Sequence, residues 1–309
     1  MGESPARARL AADLADRDLV EYFYLDRTAE DVLDRLDGLR VELSASQDDV
    51  PFNAQVKGYR GALDEDGHPW ILKPVATPME VLYHRLCALV HLMDHETGTL
   101  SAPTTVFRID GKPYRAVKVV RKAVQISSYD YLRGPFIDIL RADLVNRWIY
   151  YDEDRNPNNY LVITNSRNRP FVAAIDFDQA DLSTEDIKIR GNPDRFGWFR
   201  TEKTRFLTLL RPENFDGVSL EVFEPRLEAM AAIPESRIAL WALRLARGYA
   251  LDPERAAAGA AANLVRRREY VDGYFRSMFK TAALTENVGH DQDYSMFGKS
   301  FRDIHGNEK

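Results

Sequence analysis

The spacing of apolar residues changes period several times along the chain, and each change marks an element. Residues 6 to 17 carry apolar positions at helical spacing. Thr28 opens a short helix to about Leu36, and Asp31, three residues on, completes a capping box. Gln55 to Leu63 and Trp70 to Pro74 read as strands. The polar turn Asp64-Glu65-Asp66-Gly67-His68-Pro69 joins them, which predicts a β-hairpin. Thr77-Pro78-Met79-Glu80 places a cap, a proline at the first helical position and a glutamate at the third, so a helix is predicted to about Asp94. Val106 to Ile109 and Tyr114 to Val120 predict a second hairpin across Asp110-Gly111-Lys112-Pro113.

After about Ala123 the pattern becomes helical, with a strongly apolar face from Phe136 to Tyr150. A polar loop, Tyr151 to Asn159, leads into two short strands, Tyr160 to Ile163 and Phe171 to Ile175, the second ending in Asp176-Phe177-Asp178. Residues 181 to 202 are irregular. Helices are predicted over about 203–210, 219–232, 235–248 and 253–284, and a polar tail from about 286. The expectation is an α+β protein: a β-rich half over 1–123, with a helical extension over 1–50, and a mostly helical half over 124–309.

Composition narrows the class. The chain has 309 residues, long for a single core, which fits two domains or two lobes. A formal charge of −6 and a pI of about 5.6 argue against nucleic acid as a partner. One cysteine, Cys87, excludes an internal disulfide framework and any CxxC motif, and its apolar helical surroundings mark it as a small hydrophobe. The first residues show no basic start followed by an apolar core, and no apolar run approaches the length of a membrane span. The expectation is a cytoplasmic protein without stable membrane insertion.

The chemistry gathers between residues 152 and 178. Asp154 and Asn159 stand in D-x-x-x-x-N spacing on a loop between a helix and a hairpin, and the hairpin ends in Asp176. Phosphoryl transfer from ATP needs such a set: one carboxylate to orient the attacking hydroxyl, and an amide and a second carboxylate to hold Mg²⁺ against the phosphates. Asp and Asn are also ordinary loop residues, so the spacing gains its meaning from the helix, hairpin and strand-terminal acid around it. Upstream, Lys73 sits on an otherwise apolar strand, and Glu80 begins the next helix. Glu80 reads equally as a partner for Lys73 and as the glutamate of its own capping box. Gly58 and Gly61 could let backbone approach a phosphate or could punctuate a turn; no full G-x-G-x-x-G is present.

The order of parts resembles the atypical branches of the protein-kinase-like superfamily. Asp154-Arg155-Asn156-Pro157-Asn158-Asn159 resembles the D-R-H-x-x-N loop of phosphatidylinositol 3- and 4-kinases and the corresponding loop of HipA-like kinases. Ile175-Asp176-Phe177-Asp178 is similar to the metal-binding strand end of aminoglycoside phosphotransferases. The resemblance spans about Gln55 to Asp178. It implies a bilobal kinase-like fold, ATP and Mg²⁺ as cofactors, Asp154 as catalytic aspartate, and Asn159 and Asp176 as metal ligands, with Asp178 as a further metal or supporting ligand. It implies Lys73, paired with Glu80, on the phosphates, and a hinge over 119–123, including Val119 and Arg121, against adenine. Asn156 replaces the histidine of the lipid-kinase loop, and Asp178 stands where protein kinases have the glycine of D-F-G.

The implied acceptor is a protein hydroxyl on Ser or Thr, with a small-molecule or phosphoinositide alcohol as the alternative. A catalytically silent binding module and transfer of a nucleotidyl group remain open on the same parts. The segment from Lys188 to Arg205 is mildly basic, and no strong polybasic cluster speaks for a lipid headgroup. His84, His91 and His95 share helical spacing without the glutamate of an H-E-x-x-H motif, so no zinc site is expected there.

Overall fold

A computed structural model describes residues 4–44, 58–152, 154–183 and 217–285, with side chains to residue 277. The start of the chain folds into two helices rather than one. Ser4 caps α1 (Pro5–Leu14) and Asp16 caps α2 (Arg17–Tyr22). Ala15 between them takes a left-handed φ of 46°, and the Asp16 side chain accepts from Leu19 N. A capping residue placed inside an apolar pattern thus breaks the helix that the pattern alone implied. α3 (Ala29–Gly38) begins with the Thr28–Asp31 capping box.

A five-stranded antiparallel sheet follows, in the order β1-β2-β3-β6-β5. Its strands are β1 (Val41–Leu43), β2 (Arg60–Asp64), β3 (Pro69–Pro74), β5 (Thr104–Ile109) and β6 (Lys112–Lys118). The β2–β3 and β5–β6 hairpins are those read from the sequence; positions 55–57 of the first lie outside the described residues. Asp64 fastens the first turn: its carboxylate accepts from Asp66 N, His68 N and Trp70 Nε1 at 3.0, 2.8 and 3.0 Å. Between β3 and β5 the chain forms α4 (Pro78–Leu86) and α5 (Ala88–Glu96), hinged at Cys87, where one continuous helix was predicted.

A second sheet has the order β4-β9-β8-β7. β7 (Val124–Gln125), β8 (Tyr160–Thr164) and β9 (Pro170–Ala174) pair antiparallel, whereas β4 (Leu100–Ser101) runs parallel to β9. Before β8 lies α6 (Phe136–Ile149); α7 (Glu224–Ala231), α8 (Glu235–Ala246) and α9 (Pro253–Thr285) close the described chain. The helix expected over 203–210, most of the irregular segment and the polar tail fall outside the described residues. The α+β class holds.

A cut at residue 123 does not separate two cores. β4, from the first half, adds a strand to the sheet of the second half, and one apolar cluster runs from Leu33 and Trp70 through Trp148 to Trp241 and Phe275. Gly98 lets α1 lie against α5: at φ 65°, a Cβ there would sit 2.5 Å from the Ala6 carbonyl oxygen. Arg7 and Arg237 both reach Glu96, at 2.9 and 2.8 Å, which ties α1 and α8 to the end of α5. Among the described residues no helix is long and apolar enough to cross a membrane.

Glu30 on α3 takes a two-pronged bond from Arg237, at 2.6 Å on each oxygen, and a third from Trp241 Nε1 at 2.9 Å. The Arg237 bond holds its carboxyl down at about 2, against a usual 4.5. A depressed carboxyl stabilises the fold fully above its unfolded value and loses that contribution as pH falls through the folded one. Glu30→Gln is therefore expected to cost about 1–2 kcal/mol at pH 7, discounted for partial exposure. In urea unfolding, the gap to wild type should close as pH falls from 4.5 toward 2.

Candidate functional site

The loop between α6 and β8 is fixed from both ends by buried charge. Arg147, near the end of α6, pairs with Asp94 of α5 at 2.7 Å and with Asp143 at 2.9 Å, and all three are buried. Burial alone would raise the Asp143 carboxyl, but Arg147 and the Tyr160 hydroxyl outweigh it and the net direction is down. Tyr160, the first residue of β8, donates to Asp143, which pins the far end of the loop. Within the loop, buried Arg155 pairs with buried Asp152 at 2.9 Å and donates to the carbonyls of Ile175 and Asp176. The guanidinium carbons of Arg147 and Arg155 lie 5.1 and 5.4 Å from the centre of the Phe177 ring.

These ties put the sequence motif in register with the end of β9. The β8–β9 ladder sets Tyr160 opposite Ala174, and Ile175 N donates to Asn159 O at 3.0 Å, so Asn159 and Asp176 are near neighbours across the hairpin. Asn159 Nδ2 donates to the Asp154 backbone carbonyl, which leaves Oδ1 as its acceptor. Asn156 Nδ2 donates to Asp154 Oδ1 at 3.0 Å and orients that carboxylate. Asp176 holds a left-handed φ of 57°. For a residue with a side chain this costs about 1–3 kcal/mol, and such strain concentrates at working sites.

A cleft of about 640 Å³ opens between the two sheets. Tyr59, Ile71 and Lys73 line one wall, Asn159, Leu161, Ile175 and Asp176 the other, and Val119 and Val120 the end. Lys73 Nζ reaches Asp176 at 3.0 and 3.2 Å and Asp178 at 3.3 Å, and sits 5.2 Å from the Tyr59 ring centre. Arg115, opposite Lys73 in the β3–β6 register, reaches Asp176 at 3.1 Å and also pairs with Asp178. Burial would raise the Asp176 carboxyl; Lys73 and Arg115 prevail and hold it below the usual range. Burial lowers both Lys73 and Arg115.

Several expectations need correction. Glu80 does not pair with Lys73: its carboxylate accepts from Ala76 N at 2.9 Å and Thr77 N at 3.4 Å, closing its own capping box, because those amides are adjacent and otherwise unbonded. Val119 lines the cleft, but its backbone is already engaged. Its N–H donates to Pro69 O at 2.8 Å and its carbonyl accepts from the Tyr22 hydroxyl. Arg121 points to the β2–β3 turn and donates to Gly67 O at 3.1 Å. Gly61 is buried in β2 opposite Ile71, a sheet position, whereas Gly58, at φ 72°, turns the chain just before Tyr59.

Arg115, Lys118 and Tyr22 carried no motif and were missed. Strand alternation held a signal for the first, since Arg115 shares a strand face with cleft-lining Val117. Lys118 N donates to Pro103 O, and Pro103, having no N–H, cannot return the bond to the Lys118 carbonyl. The Lys118 ammonium is buried between the Tyr22 and Tyr24 rings, 4.1 and 4.4 Å from their centres, and burial brings it down to about 8. The helical start of the chain thus grips the far side of this strand end. It also reaches the β8–β9 turn, where Asn165 Nδ2 donates to Leu14 O at 2.6 Å and Ser166 N to Asp16 at 2.8 Å.

A second, more apolar cavity of about 970 Å³ lies between α4 and α9. Tyr83 on its wall donates to the carbonyls of Asp178 and Ala180, at 3.1 and 2.6 Å. Cys87 borders it, buried as expected of a small hydrophobe, and burial pushes its thiol up to about 12. His91 is buried against Ser101, and His95 bonds Tyr24 O at 2.9 Å. Elsewhere, Asp64, Asp66 and His68 bring ligand atoms within 4.8 Å of one another, close enough to hold a metal ion. No protein-family model matches the sequence, and no curated protein is significantly similar to it.

The Asp152–Arg155 pair gives a direct test of the loop. Arg155→Met strands a buried carboxylate and is expected to cost about 3–5 kcal/mol in urea unfolding. Asp152→Asn in the same chain should recover part of that loss, because the orphaned charge is gone. Additive losses in the double-mutant cycle would contradict the coupling.

Proposed function

We propose that the chain is an ATP- and Mg²⁺-dependent phosphotransferase with a two-lobed, protein-kinase-like architecture. It moves the γ-phosphoryl group to a hydroxyl, with a protein serine or threonine as the first candidate acceptor and a small-molecule or phosphoinositide alcohol as the second. The observation that carries the reading is the meeting of Lys73, Asn159 and Asp176, from three separate elements, in one cleft. ATP supplies a polyphosphate, an apolar base and a need for a hard cation, and the cleft offers a matching part for each.

Ile71, Leu161 and Ile175 give apolar surface for the base at the end nearer Val119 and Val120. In place of the engaged Val119 groups, the Lys118 carbonyl is the acceptor left over by Pro103. The oxygen donors of Asn159 and Asp176 suit Mg²⁺, which when bound neutralises charge on the phosphates. Lys73, with three donors, has one to turn from Asp176 to a phosphate oxygen while another stays on Asp178. Asp154, held by Asn156 through Oδ1, keeps Oδ2 for the proton of the attacking hydroxyl.

A catalytically silent nucleotide-binding module is the second reading. It is favoured by the saturation of Asp176 and Asp178 with Lys73 and Arg115. Two experiments separate these. A thermal-shift titration with ATP should show stabilisation that grows with Mg²⁺ in the wild type and loses its Mg²⁺ dependence in Asp176→Ala. With ATP labelled on the γ- or the α-phosphate, transfer is expected from the γ label alone. Asp154→Asn should lower it by about 10²–10⁴ while ATP binding stays within about twofold. Signal from the α label alone would assign nucleotidyl transfer, and binding without transfer of either label would assign the silent module.

A further inference from the structure

We infer that Asp178 is a positioning residue rather than a metal ligand: with Arg115 behind it, it holds Lys73 in place for the phosphates, the task that a helix glutamate was expected to perform. The inference rests on the ATP reading of the cleft. Its basis is the way four charges divide between two strands and one turn.

β3 and β6 set Lys73 and Arg115 directly opposite each other. Two positive side chains on neighbouring strands repel unless anions lie between them. Asp176 and Asp178 supply those anions, and the four groups sum to zero. The sharing is not symmetric. Asp178 commits one oxygen to each cation, Oδ2 to Lys73 at 3.3 Å and Oδ1 to Arg115. Asp176 borders the cleft together with Asn159, on the side where a cation would meet both. Arg115 is about 5% exposed and spans the two carboxylates with separate nitrogens, a two-pronged grip that a lysine cannot copy.

The backbone supports the same division. The left-handed turn at Asp176 and the burial of Phe177 carry Asp178 past the cleft wall, where the Tyr83 hydroxyl bonds its carbonyl at 3.1 Å. Asp178 shares Lys73 with Asp176 in the metal-free cleft, and it is the anchor that remains when Asp176 turns toward a metal. Glu80 is not available for this, because its carboxylate closes the α4 cap.

The test uses ATP binding to the full chain in EDTA, measured by calorimetry, with adenosine as the control ligand. Removing an acid from a phosphate site strengthens anion binding when that acid only repels or only ligates metal. Removing the anchor of Lys73 weakens it. Asp178→Asn is therefore expected to bind metal-free ATP about tenfold more weakly, with adenosine unchanged. Asp178→Glu should recover part of the loss, and Glu80→Gln should leave it unmoved. Arg115→Lys, which keeps the charge and so serves if the asparagine variant folds poorly, is expected to weaken ATP in the same direction. Unchanged or tighter metal-free ATP binding in Asp178→Asn or Arg115→Lys would overturn the inference while leaving the ATP reading standing. Wild type that binds ATP neither with nor without Mg²⁺ would overturn the ATP reading and this inference with it.

Discussion

Two buried guanidiniums, Arg147 and Arg155, set the geometry on which the cleft depends. Taking such a group out of water costs several kcal/mol unless anions and carbonyls surround it. Arg147 finds Asp94 and Asp143, and Arg155 finds Asp152 and the carbonyls at the end of β9. Phe177 fills the space beside both. Helix, loop and strand end are each attached to a charge that cannot be left unpaired. A small shift of any one would expose the cost of the others. An apolar core could fill the same volume, but it would not dictate which backbone carbonyl faces which side chain. The strained φ of Asp176 persists because these surroundings over-determine it.

The parts of the fold that rest on local chemistry were legible in the sequence. Thr28 with Asp31, and Thr77 with Glu80, announced helix starts that are present as capping boxes. Polar turns announced both hairpins of the larger sheet. The parts that rest on distant partners were not legible. β4 is two residues long and owes its existence to β9, more than seventy positions later. The break at Ala15 is local, set by the Asp16 cap, but it and the hinge at Cys87 went unread because they interrupt apolar patterns that continue on either side.

The candidate site divides in the same way. Asp154, Asn159, Lys73 and Asp176 were singled out because each sits near a recognisable boundary of an element, and the fold brings Lys73, Asn159 and Asp176 to one cleft. Glu80 was misassigned because one carboxylate had two suitors, and the amides three and four residues away are always nearer than a lysine on another strand. Arg115 escaped because strand alternation assigns it a face but does not say what that face meets. Net charge was equally uninformative: a chain of charge −6 gathers Lys73, Arg115 and Lys118 along one strand pair. What decides the local field is the sheet register, which composition does not contain.

The helical start of the chain has a consequence for how small a working unit can be. It supplies the hydroxyl that occupies the Val119 carbonyl, the rings that shield Lys118, and acceptors for the turn beyond β8. A shortened protein beginning at α3 would keep both sheets and every acidic residue of the cleft. It would also bare a buried ammonium and cut the strap joining one sheet to the other. The minimal unit is therefore defined by what braces the back of the cleft, and it begins at the first helix.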